Sequence, residues 1–383
     1  MTMDALNPSL TLGIEEEYLL VNPDTRDLAI DPPQALFDDC EKCLGKHVTS
    51  EFLRSQIEIG TPVCGDITEA EQELKRLRSC VSRIAQEHGL RIIAASTHPF
   101  ADWEKQKHTP KERYDDLARD MGGAARRMLI CGMHVHAGIE SPDLRIDLMN
   151  QVSYFLPHLL ALSTSSPFWQ GQDMGMLSSR LTVFDGMPRT GVPDRFESYS
   201  DYERLTERMI ASGALDDSSK IWWDVRPSAH YPTLEMRITD VCTRVSDAVA
   251  VAALYQAILK HMVRLRRRNL RWRLYPTMLI KENRWLAQRH GVKGSLIDLG
   301  KGRLSEFSQL ITELSEMVRD DAEDLGSMEF VEQARQITAR GTSGQKQIEI
   351  YKAAIADGAS EEEALVRVVD FLIEETVYGL EED

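Results

Sequence analysis

Alternating apolar and polar residues mark short segments in the first two-thirds of the chain, and longer amphipathic segments follow. A period of two predicts half-buried strands, whereas apolar residues three and four positions apart predict helices. The alternating pattern predicts strands at 11–21, 51–59, 90–96, 129–139, 220–226 and 233–239. The longer period predicts helices at 34–45, 66–88, 111–127, 145–165, 246–269, 279–289, 303–324, 330–339, 345–356 and 360–376.

The order of these segments predicts the fold class. Strands and helices do not alternate strictly, which favours an α+β fold over a doubly wound parallel sheet. We expect one large domain over 1–383, with a sheet-rich core at 1–245 and a helical portion at 246–383 packed on it. Glycine and proline cluster at 185–195, which predicts a long loop of the kind that often carries function.

Composition narrows the classes of partner. The chain has 383 residues, a formal net charge of −16, and 42 % apolar and 28 % charged residues. The negative charge argues against a nucleic-acid partner, which needs a cationic surface. No stretch approaches the roughly 18 consecutive apolar residues that span a bilayer, and the N-terminal sequence lacks the pattern of a secretory signal. We therefore expect a cytoplasmic protein with no membrane partner.

Basic residues and cysteines carry weaker signals. The basic run is predicted to be a solvated helix end, with a subunit contact of a homo-oligomer or an anion site as alternatives. It consists of Arg264, Arg266, Arg267, Arg268, Arg271 and Arg273. Cys40 and Cys43 form a C-x-x-C with no second pair to complete a zinc site. We expect both to be reduced side chains that fill space on a helix.

The first candidate for chemistry is the segment L-G-I-E-E-E-Y at 12–18. On a strand, Glu15 and Glu17 share one face and Glu16 points to the other. Two carboxylates within about 7 Å on a buried face repel each other unless a cation neutralises them. Oxygen ligands of this kind suit a hard divalent cation. The alternative is that this strand face is exposed to solvent.

A second acidic segment, E-F-L-R-S-Q-I-E-I-G at 51–60, offers two more carboxylates. Glu58 lies between Ile57 and Ile59, so its side chain faces away from theirs and is expected on the same polar face as Glu15. Glu51 has the opposite parity on this strand, and it can join the site only if a bulge or turn intervenes.

Histidine and arginine occur on two further predicted strands. His134 and His136 share a face in C-G-M-H-V-H-A-G, and three interpretations stay open. They bind a transition metal, or one joins a carboxylate site, or both are core histidines. Glu235 and Arg237 share a face in T-L-E-M-R-I-T-D, as a cross-strand ion pair or as a metal ligand beside a cation for phosphoryl transfer.

Other polar residues lie near predicted strand ends. Arg180 and Arg226 are further candidates for anion contacts, and Thr97 and His98 are predicted to be exposed where a strand ends. The chain has no G-x-x-x-x-G-K-[ST] and no G-x-G-x-x-G after a strand. If ATP is used, metal ions and arginines must therefore hold its phosphates.

Together these segments resemble the carboxylate–amine ligase family, the type 2 glutamate–cysteine ligases, which is similar to the glutamine synthetase enzymes. The resemblance covers most of the chain and thins after about residue 245. It is carried by eight segments in the family's order, each weak alone: L-G-I-E-E-E-Y, T-P-V-C-G-D-I, S-T-H-P-F, G-M-H-V-H-A-G, S-P-F-W-Q-G, S-S-R, W-D-V-R-P-S and T-L-E-M-R-I-T-D.

The resemblance implies a glutamine synthetase-like fold and a reaction. The fold would be a single catalytic domain with a central antiparallel sheet lined with acidic residues, flanked by helices and followed by a helical C-terminal portion. The cofactors would be ATP and Mg²⁺, or Mn²⁺. The substrates would be a carboxylate such as glutamate and an amine such as cysteine, which are joined through an acyl phosphate to form γ-glutamylcysteine or a related amide.

The resemblance also implies roles for individual residues. The metal ligands would be Glu15, Glu17, Glu51, Glu58, His134 and Glu235. The residues that contact the transferring phosphate or the substrate would be Arg237, Arg180 and Arg226. The residues that bind the nucleotide would be Arg237, Arg180, Thr97 and His98. Bringing a carboxylate to a polyphosphate requires this combination, because cations reverse the repulsive field of an acidic cleft.

Three other functions remain open from the sequence. A phosphotransferase with the same fold would stop at a phosphorylated product. A metallohydrolase would use His134, His136 and a carboxylate, although the excess of carboxylates over histidine and cysteine argues against it. A non-catalytic nucleotide or metabolite binder would show no turnover. The sequence does not identify the amine.

Overall fold

The segment with three consecutive glutamates forms the central strand of a seven-stranded sheet. The computed structural model describes residues 6–110, 119 and 122–380. Its strands are β1 (Leu12–Val21), β2 (Val48–Ser50), β3 (Gln56–Gly60), β4 (Arg91–Ile93), β5 (Met133–Gly138), β6 (Phe168–Trp169), β7 (Gln172–Asp173), β8 (Thr190–Gly191), β9 (Trp222–Trp223), β10 (Val225–Pro227), β11 (Thr233–Met236), β12 (Ser295–Asp298) and β13 (Arg303–Glu306).

Helices surround this sheet and form most of the C-terminal third. They are α1 (Gln34–Leu44), α2 (Ile67–Glu87), α3 (Gly123–Arg126), α4 (Pro142–Val152), α5 (Leu156–Ser163), α6 (Arg180–Phe184), α7 (Tyr199–Ala211), α8 (Val245–Arg267), α9 (Thr277–His290), α10 (Phe307–Met317), α11 (Arg319–Asp324), α12 (Met328–Arg340), α13 (Ser343–Ala356) and α14 (Glu361–Thr376). Short 3₁₀ turns occur at Gly45–His47, Trp103–Lys105, Ser218–Lys220 and Gly291–Lys293.

The main sheet is antiparallel, with strand order β10-β11-β5-β1-β3-β2, and β4 pairs with the end of β1. β1 is paired on both sides, by β3 and by β5. The prediction of an α+β fold with a central antiparallel sheet is therefore confirmed. Three two-stranded sheets, β12-β13, β6-β7 and β8-β9, lie outside it.

Several predicted boundaries are wrong for identifiable reasons. The strand predicted at 51–59 begins only at Gln56, because the preceding residues turn while Phe52 and Leu53 stay buried. The helix predicted at 145–165 is two helices, and Pro157 lies in the first turn of the second, where proline is tolerated. Residues 303–306 form β13 rather than the start of a helix. Of the helix predicted at 111–127, residues 111–118, 120 and 121 lie outside the described residues.

One face of the main sheet is apolar and packs against helices. Ile14, Tyr18, Ile59 and Val135 are fully buried there. The long helix α2 contacts β1 and β3, and α8 contacts α2 and β5. The buried apolar cluster runs from Leu10 to Leu372, so it includes residues of both predicted portions of the chain. The other face of the sheet is consequently left for polar groups.

Helix α8 fills the centre of the helical portion. By length and composition it could cross a membrane, but 83 % of its most apolar window is buried inside the fold. It is the one such helix among the described residues, and its burial is what a core helix requires. The basic run begins at its C-terminal end, where Arg264 pairs with Asp321 at 2.7 Å and Arg266 with Asp147 at 3.0 Å.

The cysteine prediction is half right. Cys40 is buried and free, as expected of a side chain that fills space in the core. The expectation that Cys43 is reduced is wrong, because it is disulfide-bonded to Cys80. The bond joins α1 to α2, since the two helices pack side by side and bring these residues together. This pairing could not be predicted from the spacing of the cysteines, because Cys43 and Cys80 are 37 residues apart.

Candidate active site

The polar face of the main sheet gathers the residues that strand alternation selected. On β1, Glu15 lies opposite His134 of β5, and Glu17 lies opposite Glu58 of β3. β5 also pairs with β11, where His136 of β5 lies opposite Glu235. Carboxylates directly opposite each other on antiparallel strands destabilise the pair. A bound cation would therefore stabilise the facing pair of Glu17 and Glu58.

Two groups of potential metal ligands meet on this face. Ligand atoms of Glu15, His134 and Glu235 all lie within 4.8 Å of one another. Ligand atoms of Glu17, Glu58 and His134 lie within the same 4.8 Å. Oxygen ligands dominate both groups, which suits a hard divalent cation such as Mg²⁺ or Mn²⁺ better than zinc. His134 belongs to both groups, so two cations would lie side by side.

In the second group, the pKa values of Glu17 and Glu58 are raised, which indicates that these carboxylates lack a compensating positive charge. Burial and the negative charge of Glu51 raise the pKa of Glu17 to about 8. Burial and Glu51 also raise the pKa of Glu58 well above its ordinary value. Thr49 Oγ1 donates to a Glu58 oxygen at 2.9 Å, and the Gly132 amide donates to Glu17 at 2.7 Å. Protein donors alone do not compensate these carboxylates.

In the first group, histidines of the protein compensate the negative charge of Glu15. Burial acts to raise the pKa of Glu15, but hydrogen bonds with His134 and His136 outweigh it and lower that pKa. Burial, followed by the charge of Arg237, lowers the pKa of His134 to about 4. A neutral imidazole results, which is the protonation state of a metal ligand. Nδ1 of His134 lies 3.1 Å from Glu15 Oε2.

Glu51 reaches the site by a route that strand parity did not foresee. It lies in the turn between β2 and β3, not on β3, so the parity of residues 51–59 does not apply to it. Its charge is among the causes of the raised pKa values of Glu17 and Glu58. This turn takes the place of the bulge that strand parity required for Glu51. It brings a further carboxylate to the second group.

Arginines border the acidic face at one end. Arg237 Nη1 pairs with Glu235 and lies 3.4 Å from His134 Nδ1. Arg180 donates to the backbone oxygens of Arg237 at 3.2 Å and Ile238 at 3.3 Å. The Nε atoms of Arg180 and Arg237 are buried and have no hydrogen-bond partner among the described residues. Unused buried donors beside metal ligands are suited to an anionic ligand.

Arg226 occupies a different position from these two. Its guanidinium forms two hydrogen bonds with Glu235, at 2.8 and 3.2 Å, and Nη1 donates to the Ser219 and Ile221 carbonyls at 2.7 Å each. With its donors engaged, Arg226 holds Glu235 in place. The charges of Arg237 and Arg226 outweigh the effect of burial and lower the pKa of Glu235.

The prediction that Thr97 and His98 are exposed is wrong. Both are buried, at 1 % exposure. The Thr97 hydroxyl donates to the Phe168 carbonyl at 2.8 Å, and His98 Nε2 lies 2.9 Å from the Arg26 carbonyl. The chain after β4 folds inward to make these contacts. The structure gives both side chains packing roles and no contact with the acidic face.

A cavity of about 450 Å³ opens at the end of the sheet where β1 begins. Glu15, Glu58 and His136 are among the residues that line it. The remaining lining includes Lys46, His47, Thr61, Val63, Glu140, Tyr231 and Thr233. The sequence does not indicate this cavity, because turns and strand ends from distant parts of the chain build it. The loop at 185–195 does not contribute to it, and its Thr190–Gly191 pairs with β9.

Gly132 lets Arg180 approach β5. The patterns in the sequence did not single out this glycine. A Cβ at Gly132 would lie 2.4 Å from Arg180 Nη2 and 3.0 Å from Cζ, so only glycine leaves room for the guanidinium. A glycine at the edge of a strand often marks a close approach of this kind. That signal is present in C-G-M-H, but it does not say which group approaches.

Comparisons with known proteins find relatives along almost the whole chain. Residues 11–370 match the model of glutamate–cysteine ligase family 2. The chain is 54 % identical over 380 residues to a putative glutamate–cysteine ligase 2 of Rhodospirillum rubrum, covering 98 % of each protein. It is 50 % identical over 365 residues to a putative glutamate–cysteine ligase 2 of Jannaschia, covering 95 % of this chain and 96 % of that protein.

Solved structures show the same fold at low sequence identity. A glutamate–cysteine ligase of Francisella tularensis in complex with AMP aligns with a TM-score of 0.68 at 15 % identity, over 97 % of this chain and 90 % of that one. A bifunctional glutathione synthetase of Pasteurella multocida aligns with a TM-score of 0.70 at 15 % identity. The alignment covers 96 % of this chain but only 52 % of the Pasteurella protein, about half its length.

Proposed function

The chain belongs to glutamate–cysteine ligase family 2, and we propose that it uses ATP to join the carboxylate of one small molecule to the amine of another. The observation that carries the proposal is the pair of ligand groups that share His134, flanked by Arg180 and Arg237. This combination serves to bring two anions together, since it offers sites for two cations and unused guanidinium donors.

The proposal of two divalent cations rests on the types of residue in the two ligand groups. Glu15, His134 and Glu235 would hold one ion, and Glu17, Glu58 and His134 a second, with Glu51 nearby. The raised pKa values of Glu17 and Glu58 support this assignment. A bound cation would compensate both carboxylates and restore their charged form. Such ions supply charge neutralisation to the phosphates and orient the attacking and leaving oxygens.

The reaction proceeds in two steps. An oxygen of the substrate carboxylate forms a bond to the γ-phosphorus of ATP, the bond from that phosphorus to the bridging oxygen breaks, and ADP leaves. The amine nitrogen then attacks the acyl carbon of the mixed anhydride, the carbon–oxygen bond to phosphate breaks, and the nitrogen loses a proton. Arg180 and Arg237 stabilise the charge that develops on the transferred phosphoryl group.

The two ends of the acidic face suggest where each substrate binds. We assign ATP to the 450 Å³ cavity, because its volume suits a ligand of that size and two candidate metal ligands, Glu15 and Glu58, line it. We assign the acid substrate to the end that carries Arg180 and Arg237, since a carboxylate pairs well with guanidinium donors. The phosphoryl group then transfers between the two ends, above the metal ligands.

Product analysis with Mg-ATP, glutamate and a panel of amines that includes cysteine tests the proposal. We expect ADP, orthophosphate and an amide in equal amounts, with no turnover when EDTA replaces Mg²⁺. A stable phosphorylated product without orthophosphate would instead establish a phosphotransferase. Hydrolysis of an amide without nucleotide would establish a metallohydrolase. Binding of ATP with no consumption would establish a non-catalytic binder.

A further inference from the structure

Asp240 is a fully buried carboxylate that the proposed reaction does not use. It ends the segment T-L-E-M-R-I-T-D, and it belongs to neither group of metal ligands. Its Oδ1 accepts from Ser178 Oγ at 2.8 Å. Its Oδ2 accepts from Ser166 Oγ at 2.8 Å and from the Ser165 amide at 2.9 Å. Three protein donors therefore hold the two oxygens of a charged group in the interior, where an unpaired carboxylate would be costly.

The serines that hold Asp240 belong to two segments that have no role in the proposed reaction except through Arg180. Ser166 begins S-P-F-W-Q-G, and Ser178 begins S-S-R, whose last residue is Arg180. Ser166 and Ser178 form a parallel bridge, and the Ser179 amide donates to the Ser166 carbonyl at 2.8 Å. The two segments thus form one unit around the Asp240 carboxylate.

Asp240 is connected to both the backbone and the side chain of Arg180. Ser166 Oγ, which donates to Asp240, accepts from the Arg180 amide at 3.1 Å. The Arg180 guanidinium donates to the carbonyls of Arg237 and Ile238, which lie in the same segment as Asp240. A change at Asp240 would therefore be felt at the start of α6 and at the guanidinium together.

Asp240 also supplies negative charge near the buried guanidinium. Arg180 is 3 % exposed and forms no ion pair with a carboxylate of the described residues. Burial lowers the pKa of Arg180, and the charge of Asp240 is the largest effect that opposes burial. The charge of Glu17 is the next, but the proposed cation would neutralise it. Asp240 compensates Arg180 without occupying its donors, so Nε stays unpartnered for an anionic ligand.

The helical portion of the chain holds the serine segments independently of Asp240. Gln347 on α13 donates to the Ser165 carbonyl at 2.8 Å. The Gln288 carbonyl on α9 accepts from the amides of Leu177 and Ser178 at 2.7 and 3.0 Å. The segments would therefore keep their places if the carboxylate lost its charge, and the guanidinium of Arg180 would be the part that moves.

We propose that Asp240 is a positioning residue, which is held by Ser165, Ser166 and Ser178 and fixes the guanidinium of Arg180 at the acidic face, where it meets the transferring phosphoryl group. The role of Arg180 in this inference rests on the proposed function, whereas the connection from Asp240 to Arg180 does not. The inference assigns a task to the serines of S-P-F-W-Q-G and S-S-R, which bind no substrate themselves.

A double-mutant cycle between Asp240→Asn and Arg180→Met, measured by ADP release, tests the proposal. Asp240→Asn keeps the shape of the side chain and removes its charge, so kcat should fall by about tenfold or more while KM for ATP stays within about twofold. The double variant should have the same kcat as Arg180→Met alone, because Asp240 acts through Arg180. Asp247→Asn is the matched control, since this buried carboxylate contacts Arg340 and should leave kcat unchanged.

Ser166→Ala keeps the test decisive if Asp240→Asn does not fold. It leaves the carboxylate in place but removes the hydroxyl that joins it to the Arg180 amide. The value of kcat should then fall by about threefold or more, and by nothing further when Arg180→Met is already present. A kcat equal to that of the wild type, or a loss that adds to the loss in Arg180→Met, would overturn the proposal.

Failure of the proposed function would be seen separately. If the wild-type protein releases no ADP with any amine, the proposed function fails, and crystal structures of the wild type and Asp240→Asn decide the inference by themselves. The same structures decide it if Arg180→Met is too slow to compare. The guanidinium of Arg180 should leave the Arg237 and Ile238 carbonyls in the variant, whereas an unmoved guanidinium would show that Asp240 does not position it.

Discussion

At the scale of single residues, strand parity located most of the acidic face. Alternation placed Glu15, Glu17 and Glu58 together and sent Glu16 to the opposite face, where it pairs with Arg78. Parity failed for Glu51, because it assumed a strand where the chain turns. It also could not find the partner of Gly132, because the approach of Arg180 depends on a helix 48 positions later in the chain.

Replacing a single metal ligand should separate activity from folding. We expect Glu58→Gln, and likewise Glu235→Gln, to abolish ADP release at saturating Mg²⁺. The metal-free Glu58→Gln protein should be at least as stable as the wild type, because burial and Glu51 make the charged form of Glu58 unfavourable in the folded protein, whereas glutamine is neutral without taking up a proton. Coupled-enzyme ADP assays and thermal unfolding in EDTA measure the two effects. Exposed Glu104→Gln is the matched control, and wild-type turnover in Glu58→Gln would refute the ligand assignment.

The raised pKa of Glu17 predicts how metal-free stability depends on pH. The folded-state pKa of about 8 exceeds the unfolded value near 4.5. The folded protein therefore binds this proton more tightly than the unfolded chain does. The stabilisation that the proton contributes is present below pH 4.5 and is lost as pH rises to about 8. Its size is roughly 1.4 kcal/mol per pKa unit at most. Protonated carboxylates bind cations poorly, so Mg²⁺ should raise the melting temperature more at pH 8 than at pH 5.

Differential scanning fluorimetry at these two pH values, with EDTA or with Mg²⁺, measures this difference. Glu17→Gln should reduce the dependence of the Mg²⁺ effect on pH, because glutamine does not titrate, and the dependence that remains should come from Glu58. An equal Mg²⁺ shift at both pH values in the wild-type protein would show that Glu17 and Glu58 do not hold the ion.

At the scale of elements, the sequence predicted segments better than it predicted their ends. Long amphipathic helices such as α2 and α8 match the predicted ranges closely, because their periodicity repeats over many turns. The strand predicted at 51–59 exists as β3, but its predicted start is wrong, because Phe52 and Leu53 are buried like strand residues although they precede the strand. The 450 Å³ cavity was not foreseen, because strand ends that are distant in sequence build it together.

The fit of α6 against β5 yields a prediction at this scale. In Gly132→Ala the new Cβ would collide with the guanidinium of Arg180, which is 3 % exposed and held by two backbone oxygens. Displacing it should lower kcat by about tenfold or more, since a misplaced donor no longer stabilises the transferring phosphoryl group. Gly123→Ala is the matched control, because nothing lies within 4 Å of a Cβ at that position.

Steady-state kinetics and unfolding of both alanine variants would show the effect. The Gly132→Ala protein should remain folded, because the collision involves the far end of a flexible side chain. Equal kcat values for Gly132→Ala and Gly123→Ala would mean that the position of Arg180 is unimportant for turnover.

At the scale of the whole molecule, one buried ion pair joins the acidic sheet to the helical portion. Arg78 on α2 and Glu16 on β1 are fully buried and pair at 2.7 Å. Arg78 also donates to the carbonyls of Thr243, before α8, at 2.6 Å and of Thr376, at the end of α14, at 3.3 Å. The family resemblance predicted a helical portion beside the sheet. It did not predict this junction, because Arg78 reads as one more cation on an amphipathic helix.

Removing the cation from this junction should destabilise the entire fold. Arg78→Met leaves Glu16 buried without its cation and frees three carbonyls, those of Cys242, Thr243 and Thr376, so we expect a loss of about 3–5 kcal/mol in the free energy of unfolding. Arg76→Met, two positions away on the same helix, breaks only an exposed pair with Glu73 and should change stability by less than about 1 kcal/mol. Chemical denaturation of both variants measures the difference. Adding Glu16→Gln to Arg78→Met should restore part of the loss, because it removes the uncompensated charge, whereas a simple packing defect at Arg78 would show no such recovery.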